Sequence, residues 1–448
     1  MATNVSEVVD EARFNSYHFR IVALCGLMVL LDGFDLFSIG FAAPEFAKFL
    51  GIERSAFGQV FSAGLFGLAV GALGFGFFAD RFGAKRVFIF CGVAFGLFSV
   101  ATALADSLDM LLAWRFLAGL TLGGATPISI AIASDFCPKK VRTSIVMIMY
   151  ISLALGQILA GFCNQYLPLF GWRTVFYVGG ILPILIAPLL AVLLPETLEY
   201  LVAKGEAPSR INAILGRLEP ARTFTDTSFA MARENKEGFQ PLQLFQDGRA
   251  AVTSVLWVVF FTALIAIYFF NSWYPLLLTG GGLSNEQVTI VANALPFGGI
   301  VGTLVAAPIV MRLGGFQTAT LGYLLAALAM VVLGTGGTGF EFLAIATFAV
   351  GAFLIGTQSV LNASCAGVYP PIMRSTGVGW GFGVGRIGSI LSPAIAGALL
   401  ALKWKPSELF LIAAVPTLVA CVGAFCVWRI LASRAASGPA IGVSRQTA

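Results

Sequence analysis

The 448-residue chain is strongly apolar: 58% of its residues are hydrophobic, 11% are charged, and the formal net charge is +5. Its mean hydropathy of +0.90 lies far outside the range of soluble globular proteins. The composition therefore excludes a soluble domain and predicts a polytopic membrane protein. The seven cysteines fall mostly within hydrophobic runs, which indicates small core residues rather than a disulfide framework.

Apolar stretches of about 20 residues, the length needed to cross a bilayer, occur six times before a polar middle segment and six times after it. The sequence therefore predicts an all-α membrane protein with twelve transmembrane helices in two six-helix halves. The predicted parts are a tail 1–18, a first bundle 19–194, a connector loop 195–249, a second bundle 250–432 and a tail 433–448. Lysines and arginines concentrate on the termini and on the loops of the same side, which predicts that both termini and the connector are cytoplasmic.

The two predicted halves resemble each other at matching positions. Ala79–Gly83 is echoed by Val310–Gly314 after 231 residues, and Gly156–Leu159 is echoed by Gly388–Leu391 after 232 residues. Each match is weak alone, but the shared offset indicates two pseudo-symmetric repeats in the same orientation.

Two aspartates, Asp32 and Asp35, lie inside the first long apolar stretch. An aspartate at the centre of a membrane helix costs about 2.5–3.5 kcal/mol on insertion scales, so each needs a water-filled cavity, a cation or a proton. The two residues are three positions apart and share a helix face. Because burial disfavours a charged carboxylate, they are predicted as proton-coupling residues, and the sequence does not decide which one carries the proton. A helix-capping or interfacial position is the alternative.

The predicted loop between the second and third spans carries a long charged motif, Gly76–Arg86, which resembles the corresponding loop of the major facilitator superfamily. The Asp32–Asp35 segment of the first span and the Tyr369–Gly388 segment at the eleventh resemble the aromatic acid:proton symporter family. The resemblance covers essentially the whole chain. It implies a bacterial inner-membrane carrier that takes up benzoate-like acids with protons and alternates between outward- and inward-open states.

The charges of the loop motif are predicted to hold helix ends together and to release them when the cavity opens inward. Asp135, at the predicted end of the fourth span, is the expected partner of Arg81. The alternative is that these charges only anchor loops at the membrane surface. The predicted gating residues are Asp80, Arg81, Gly83, Lys85, Arg86, Asp135 and Arg142.

Arg115 lies about two turns inside the fourth span. If the first and fourth spans run antiparallel, it lies in the same half of the membrane as Asp35. Asp35 and Arg115 also resemble an acid–arginine pair of the related sugar:proton symporters, which implies that Arg115 takes part in proton coupling. A snorkelling arginine near the membrane surface is the alternative.

Arg386 lies about ten residues into the eleventh span, where snorkelling is not expected. A buried arginine needs an anion, and a guanidinium fork suits a carboxylate. Arg386 is therefore predicted to bind the substrate carboxylate, with a structural role against backbone carbonyls as the alternative. The surrounding Gly383–Gly388 run matches a dinucleotide fingerprint by letters only, because no strand precedes it; these glycines instead favour close helix packing.

Further substrate-binding candidates are side chains with a polar handle on spans that are expected to line the cavity. They can stack on an aromatic ring or bond to its substituents, although Asn and Gln also bond between helices and Trp and Tyr also form interface belts. These candidates are Asn271, Trp273, Tyr274, Gln157, Gln358, Asn362 and Trp380.

No nucleophile–base–acid constellation, metal-ligand cluster or Walker-type loop is present in the sequence, so no enzymatic activity, cofactor or metal is expected. An anion entering a negative cytoplasm is opposed by about 2.3 kcal/mol per charge per 100 mV, which co-moving protons remove. The predicted function is proton-coupled import of an aromatic carboxylate by a monomer, with substrate, protons and bilayer as partners and no nucleic acid. The alternatives are a proton symporter for a sugar, an aliphatic acid or a nicotinate-like ring, a proton-coupled exporter of aromatic compounds, and a non-transporting receptor.

Overall fold

A computed structural model describes residues 3–165, 170–220, 222–224, 228–230, 241–246, 248–279, 282–365, 367–370 and 373–436. Within these ranges, twelve helices are long and apolar enough to cross a membrane. The predicted all-α membrane fold is therefore confirmed. Part of the predicted connector and residues 437–448 of the predicted tail 433–448 lie outside the described residues.

We label the twelve long helices α1 to α12 in chain order. The first six are α1 Ser16–Leu50, α2 Phe57–Phe82, α3 Ala84–Ala103, α4 Leu108–Asp135, α5 Lys139–Asn164 and α6 Arg173–Leu193. The second six are α7 Ala250–Leu278, α8 Asn285–Leu313, α9 Gly315–Thr335, α10 Phe340–Cys365, α11 Arg374–Ala401 and α12 Pro406–Ala436.

Local capping sets the ends of α1, the helix that carries both aspartates. The Asn15 side chain accepts hydrogen bonds from the backbone N–H groups of Tyr17 and His18, and His18 completes a capping box. Gly51 ends the helix with φ of 65°, a left-handed conformation that glycine adopts without strain. α1 therefore spans 35 residues without a break around Asp32 and Asp35.

The tight turns after α2 and α8 support the internal repeat. Gly83 has φ of 97° and Gly314 has φ of 94°, and these are the glycines that the sequence echo aligns. The same backbone conformation at matching positions agrees with two repeats of one helical plan.

The segment before α1 and the connector add short elements to the first half. Thr3–Asn4 pairs in parallel with Phe229–Ala230, and short helices cover Val5–Glu11, Leu198–Ala203 and Pro208–Leu218. The helix Pro208–Leu218 buries four apolar side chains at helical spacing, Ile211, Ile214, Leu215 and Leu218. The described part of the connector therefore packs on the same hydrophobic core as α1 and α4.

Contacts divide the chain into two compact units. The first contains the described residues of Met1–Glu237, Phe269–Pro296 and Ile390–Trp404, and the second those of Gly238–Tyr268, Phe297–Ser389 and Lys405–Ala448. The compact units follow contacts, whereas the predicted parts of the chain follow the sequence repeat. The predicted boundaries 19–194 and 250–432 stay a prediction.

Glycines bring the helices of the first unit into backbone contact. Gly67 and Gly71 of α2 lie against the backbone of α4, and Gly33 of α1 lies against Leu153 of α5. Small residues at such crossings allow close packing in membrane proteins. These contacts bring α2 onto α4 and α1 onto α5 inside the unit.

Candidate transport site

A buried ion pair joins α1 and α4. Arg115 Nη1 donates to Asp35 Oδ1 at 2.9 Å, and Arg115 Nη2 donates to Asp35 Oδ2 at 2.8 Å. The two side chains are 7% and 4% exposed. The guanidinium thus binds both carboxylate oxygens in the fork geometry that gives strong, directional pairs. The structure brings together the two residues that the sequence paired.

Asp32 has a different partner. The Thr126 hydroxyl on α4 donates to Asp32 Oδ2 at 2.6 Å, and Asp32 is 6% exposed. Such a short O–H···O contact is typical of a hydroxyl bound to an ionised carboxylate. Sequence reasoning missed Thr126. The signal that could have found it is the direction of the two helices: if α1 and α4 are antiparallel, a residue after Arg115 on α4 lies towards Asp32.

A small cavity of about 30 Å³ lies beside Asp32, Asp35 and Arg115 within the first unit. Asp32, Asp35, Arg115 and Ser272 supply its polar or charged side chains, and the remaining lining residues are apolar or glycine. This volume is enough for one water molecule with several polar partners. The cavity can therefore hold a water molecule beside a carboxylate and a guanidinium.

Three candidates on α7 are fully or almost fully buried. Trp273 Nε1 donates to the backbone oxygen of Pro393 at 3.1 Å, and its ring meets Phe61 edge-on with ring centroids 5.3 Å apart. Tyr274 is 0% exposed. Asn271 is 5% exposed, and its side-chain oxygen has no hydrogen-bond partner among the described residues. An orphan acceptor of this kind suits a hydroxyl donor from a ligand or water.

Arg386 meets a tyrosine in the second unit. Arg386 Nη1 donates to the Tyr268 hydroxyl at 2.8 Å, and its guanidinium carbon lies 5.9 Å from the centre of the tyrosine ring. Gly385 and Gly388 lie against Leu264 and Phe261 of α7, so α11 can approach α7 closely at this point. Sequence reasoning missed Tyr268, although the same helix had already been singled out for other aromatic side chains.

The remaining substrate candidates are placed separately. In the second unit, Tyr323 donates to Gln358 Oε1 at 3.1 Å, and Gln358 Nε2 donates to Asn362 Oδ1 at 2.9 Å. Trp380 stacks on Trp257 with ring centroids 5.7 Å apart and is 42% exposed. In the first unit, Gln157 of α5 is 5% exposed.

The charged loop motif docks on a carboxylate that sequence reasoning also missed. Glu196 Oε1 accepts hydrogen bonds from the backbone N–H of Lys85 at 3.0 Å and of Thr197 at 3.1 Å. Lys85 Nζ donates to the backbone oxygen of Ala191 at 2.7 Å. A carboxylate at the start of α3 accepts a hydrogen bond from a backbone N–H that has no partner within the helix. Its negative charge is also stabilised by the positive end of the helix dipole.

The other predicted gating residues lie around this motif and the α4–α5 turn. Arg142 Nη2 donates to Asp10 Oδ1 at 2.6 Å and to the backbone oxygen of Cys137 at 3.2 Å, while Arg142 Nε donates to the oxygen of Ser134 at 3.0 Å. Arg81 lies over the Phe82 ring at 5.6 Å. The pairing of Arg81 with Asp135 stays a prediction. The side chains of Asp80, Arg81, Arg86 and Asp135 are exposed.

Burial perturbs one thiol outside the spanning helices. Cys137 is buried in the α4–α5 turn, which raises its pKa to about 11, while the nearby Arg142 opposes part of this rise. The thiol is therefore protonated at neutral pH and is a poor nucleophile.

Twelve apolar helices, a buried acid–arginine pair and a second intramembrane arginine define a multi-pass membrane transporter. The chain belongs to the Major Facilitator Superfamily, whose family model matches residues 25–338 and 256–445.

Named relatives point to one kind of solute. The chain is 36% identical to a gallate transporter of Pseudomonas putida, over 93% of each chain. It is 33% identical to the 4-hydroxybenzoate transporter PcaK of Pseudomonas aeruginosa, over 93% of this chain and 94% of that one. The crystal structure of a D-xylose-proton symporter superposes with a TM-score of 0.73 at 18% identity, over 92% of this chain and 98% of that chain. At this low identity the likeness to the xylose symporter shows the fold alone.

Proposed function

We propose that this protein imports an aromatic carboxylate together with protons by alternating access. The observation that carries the proposal is Arg386, whose one hydrogen bond to a described side chain goes to the neutral hydroxyl of Tyr268. Among the described residues no carboxylate forms an ion pair with Arg386. A cation within a membrane helix needs an anion, and a substrate carboxylate would supply it.

The aromatic part of the proposal rests on the relatives and on the surroundings of the arginine. Gallate and 4-hydroxybenzoate, named for two relatives, share a benzoate carboxylate and ring hydroxyl groups. Tyr268 offers a ring beside the guanidinium of Arg386, which suits a flat substrate. The proposed substrate is therefore a benzoate-type acid.

Proton coupling is supported by the ionisable groups of α1 and α4. Asp32 and Asp35 are buried carboxylates beside a cavity that has room for water. An anion that enters a negative cytoplasm is opposed by about 2.3 kcal/mol per charge per 100 mV. One co-transported proton would cancel that charge. The energy source of uptake is thus the proton gradient.

The remaining parts of the proposal concern placement in the cell. The excess of Lys and Arg on the termini and on loops of the same side favours cytoplasmic termini. The twelve apolar helices and the bacterial relatives favour a multi-pass protein of the bacterial inner membrane. We propose a monomer that works as a transporter and not as an enzyme.

The Glu196-centred contacts and the Arg142 contacts would act at the cytoplasmic gate.

The experiment is uptake by purified protein in liposomes under an imposed inward proton gradient. The panel contains benzoate, hydroxybenzoates, gallate, nicotinate and glucose. Accumulation of a benzoate-type acid that a protonophore abolishes is the expected result. Arg386→Ala should lose binding of the acid, whereas Arg429→Ala, an exposed arginine near the end of α12, is the matched control. Uptake of glucose alone, movement only outward, or normal acid binding by Arg386→Ala would contradict the proposal.

A further inference from the structure

Two carboxylates on one face of α1 have chemically different partners. Asp35 binds the guanidinium of Arg115 through both oxygens, whereas Asp32 accepts a hydrogen bond from the hydroxyl of Thr126. We propose that Asp32, which is hydrogen-bonded to Thr126, carries the coupled proton and that Asp35 stays ionised to neutralise Arg115. The inference rests on the proposed proton-coupled uptake and assigns its proton to one residue.

The geometry of the ion pair argues against protonation of Asp35. Both Arg115 and Asp35 are buried, and both carboxylate oxygens already accept a hydrogen bond from the guanidinium. A proton on Asp35 would displace one of these bonds and leave a buried positive charge without its counter-ion. Because a guanidinium has donors and no acceptor, it cannot accept a hydrogen bond from the new acid O–H. Removal of one charge from a buried pair is strongly unfavourable.

The Thr126 hydroxyl suits both protonation states of Asp32. While Asp32 is ionised, the hydroxyl donates to Oδ2 at 2.6 Å. When a proton binds Asp32, the same hydroxyl can rotate and accept a hydrogen bond from the acid, because a hydroxyl carries one donor and two acceptor lone pairs. Thr126 therefore does not have to move away when the proton arrives or leaves.

The surroundings of Asp32 contain few competing charges. The cavity beside it is lined by Asp35 from its own helix and by Arg115 from α4, and these two neutralise each other. The cavity residues from α2 are uncharged, namely Phe61, Gly64, Leu65 and Leu68, and α7 contributes Ser272. Where glycines bring α5 and α6 against this part of α1, the residues in contact are Leu153, Gly156 and Gly179, which are also uncharged.

The proton balance of one cycle is simple. A proton from water on the exoplasmic side binds an Asp32 oxygen and converts the carboxylate into the neutral acid. The substrate anion binds elsewhere, so protein and cargo together take up no net charge. After the cavity opens to the cytoplasm, the proton leaves to water and Asp32 returns to the ionised form that accepts from Thr126. The Asp35–Arg115 pair keeps its charges throughout.

The decisive test compares Asp32→Asn with the charge-neutral double variant Asp35→Asn/Arg115→Gln in liposomes. A gradient of one pH unit corresponds to about tenfold accumulation per coupled proton. The double variant should transport more slowly but keep the wild-type accumulation ratio, which a protonophore abolishes, because its proton site is intact and no buried charge is left unpaired. Asp32→Asn should fall to equilibrative uptake while it still exchanges labelled for unlabelled substrate. The single variant Asp35→Asn should lose exchange and accumulation together.

Thr126 supplies a second, milder test that does not remove a charge. Thr126→Val deletes the donor to the ionised carboxylate, so the proton should be held more tightly and the pH of half-maximal uptake should move to higher pH. Thr126→Ser keeps the hydroxyl and should restore the wild-type profile. A merely structural role of Thr126 would lower uptake at every pH without moving the profile.

The outcomes separate this inference from the function on which it rests. If uptake by the wild-type protein does not depend on the proton gradient, the proposed coupling is overturned before any variant is compared. Wild-type coupling combined with a double variant that exchanges substrate but no longer accumulates it would overturn the assignment and place the proton on Asp35. Accumulation by Asp32→Asn would also overturn it. Monodisperse elution of each variant is required before its transport is scored.

Discussion

The Tyr268 hydroxyl accepts a hydrogen bond from Nη1 of the Arg386 guanidinium at 2.8 Å. The contact fixes the plane of the guanidinium and leaves its other nitrogens for a carboxylate. If Arg386 binds the substrate carboxylate as proposed, Tyr268 acts as its positioning residue.

Tyr268→Phe keeps the ring and removes only the hydroxyl. A hydrogen bond to a charged group contributes about 1.5–3 kcal/mol, so we expect the KM for a benzoate-type acid to rise about tenfold or more, with a smaller change in maximal rate. The measurement is initial uptake against substrate concentration. Tyr369→Phe is the control, because the Tyr369 hydroxyl bonds to Thr253 instead. Equal effects of the two variants would contradict the positioning role.

Gly83→Ala should impair transport through the loop motif. Gly83 has φ of 97° and ψ of 136°, a sparsely populated backbone region that costs a residue with a side chain about 1–3 kcal/mol. A β-carbon there would lie 2.5 Å from Glu196 Oε2. The substitution should therefore displace the Glu196 carboxylate from the start of α3. The measurements are uptake rate and thermal unfolding. Gly76→Ala in the same motif is the control, since a β-carbon there meets nothing within 4 Å; impairment by both variants alike would argue against a role for Glu196.

Arg142→Gln should destabilise the protein more than Asp10→Asn. The ion pair between these residues is about one-third exposed on both sides, so its own contribution is small, about 0–1 kcal/mol. Arg142 also donates to two backbone oxygens of the α4–α5 turn, and loss of these bonds adds about 1 kcal/mol each. Thermal unfolding in detergent measures the difference. An equal or larger loss in Asp10→Asn would show that the ion pair dominates.

Cys137 should resist alkylation in the folded protein. Burial raises the pKa of its thiol to about 11, so the reactive thiolate forms only as the pH approaches that value. We expect N-ethylmaleimide to leave Cys137 unmodified at pH 7 and to modify it after unfolding. Mass spectrometry of the peptide that contains Cys137 gives the answer. Rapid labelling of the native protein at pH 7 would contradict the burial of this turn.

The sequence predicted the fold class well because the bilayer restricts what a chain can do. Each crossing needs about 20 apolar residues in a helix that satisfies its own backbone hydrogen bonds. Twelve such stretches can be recognised from the hydropathy of the sequence alone. The sequence also marked four charged residues within the spans, because inserting an ionisable side chain into a membrane helix costs free energy. These residues are Asp32, Asp35, Arg115 and Arg386. The Asp35–Arg115 pairing was also proposed from the direction of the two helices.

Only the tertiary structure decided which groups these charges meet. Thr126, Tyr268 and Glu196 lie 94, 118 and 111 positions from their partners Asp32, Arg386 and Lys85. Nothing in local periodicity marks an ordinary Thr, Tyr or Glu as such a partner. The choice depends on how far each helix is rotated and how closely glycine contacts let the backbones approach. Length, hydropathy and charge thus determined the twelve spans and the charged residues within them. Packing between helices that are distant in sequence decided that Asp32 is hydrogen-bonded to a hydroxyl and Asp35 to a guanidinium.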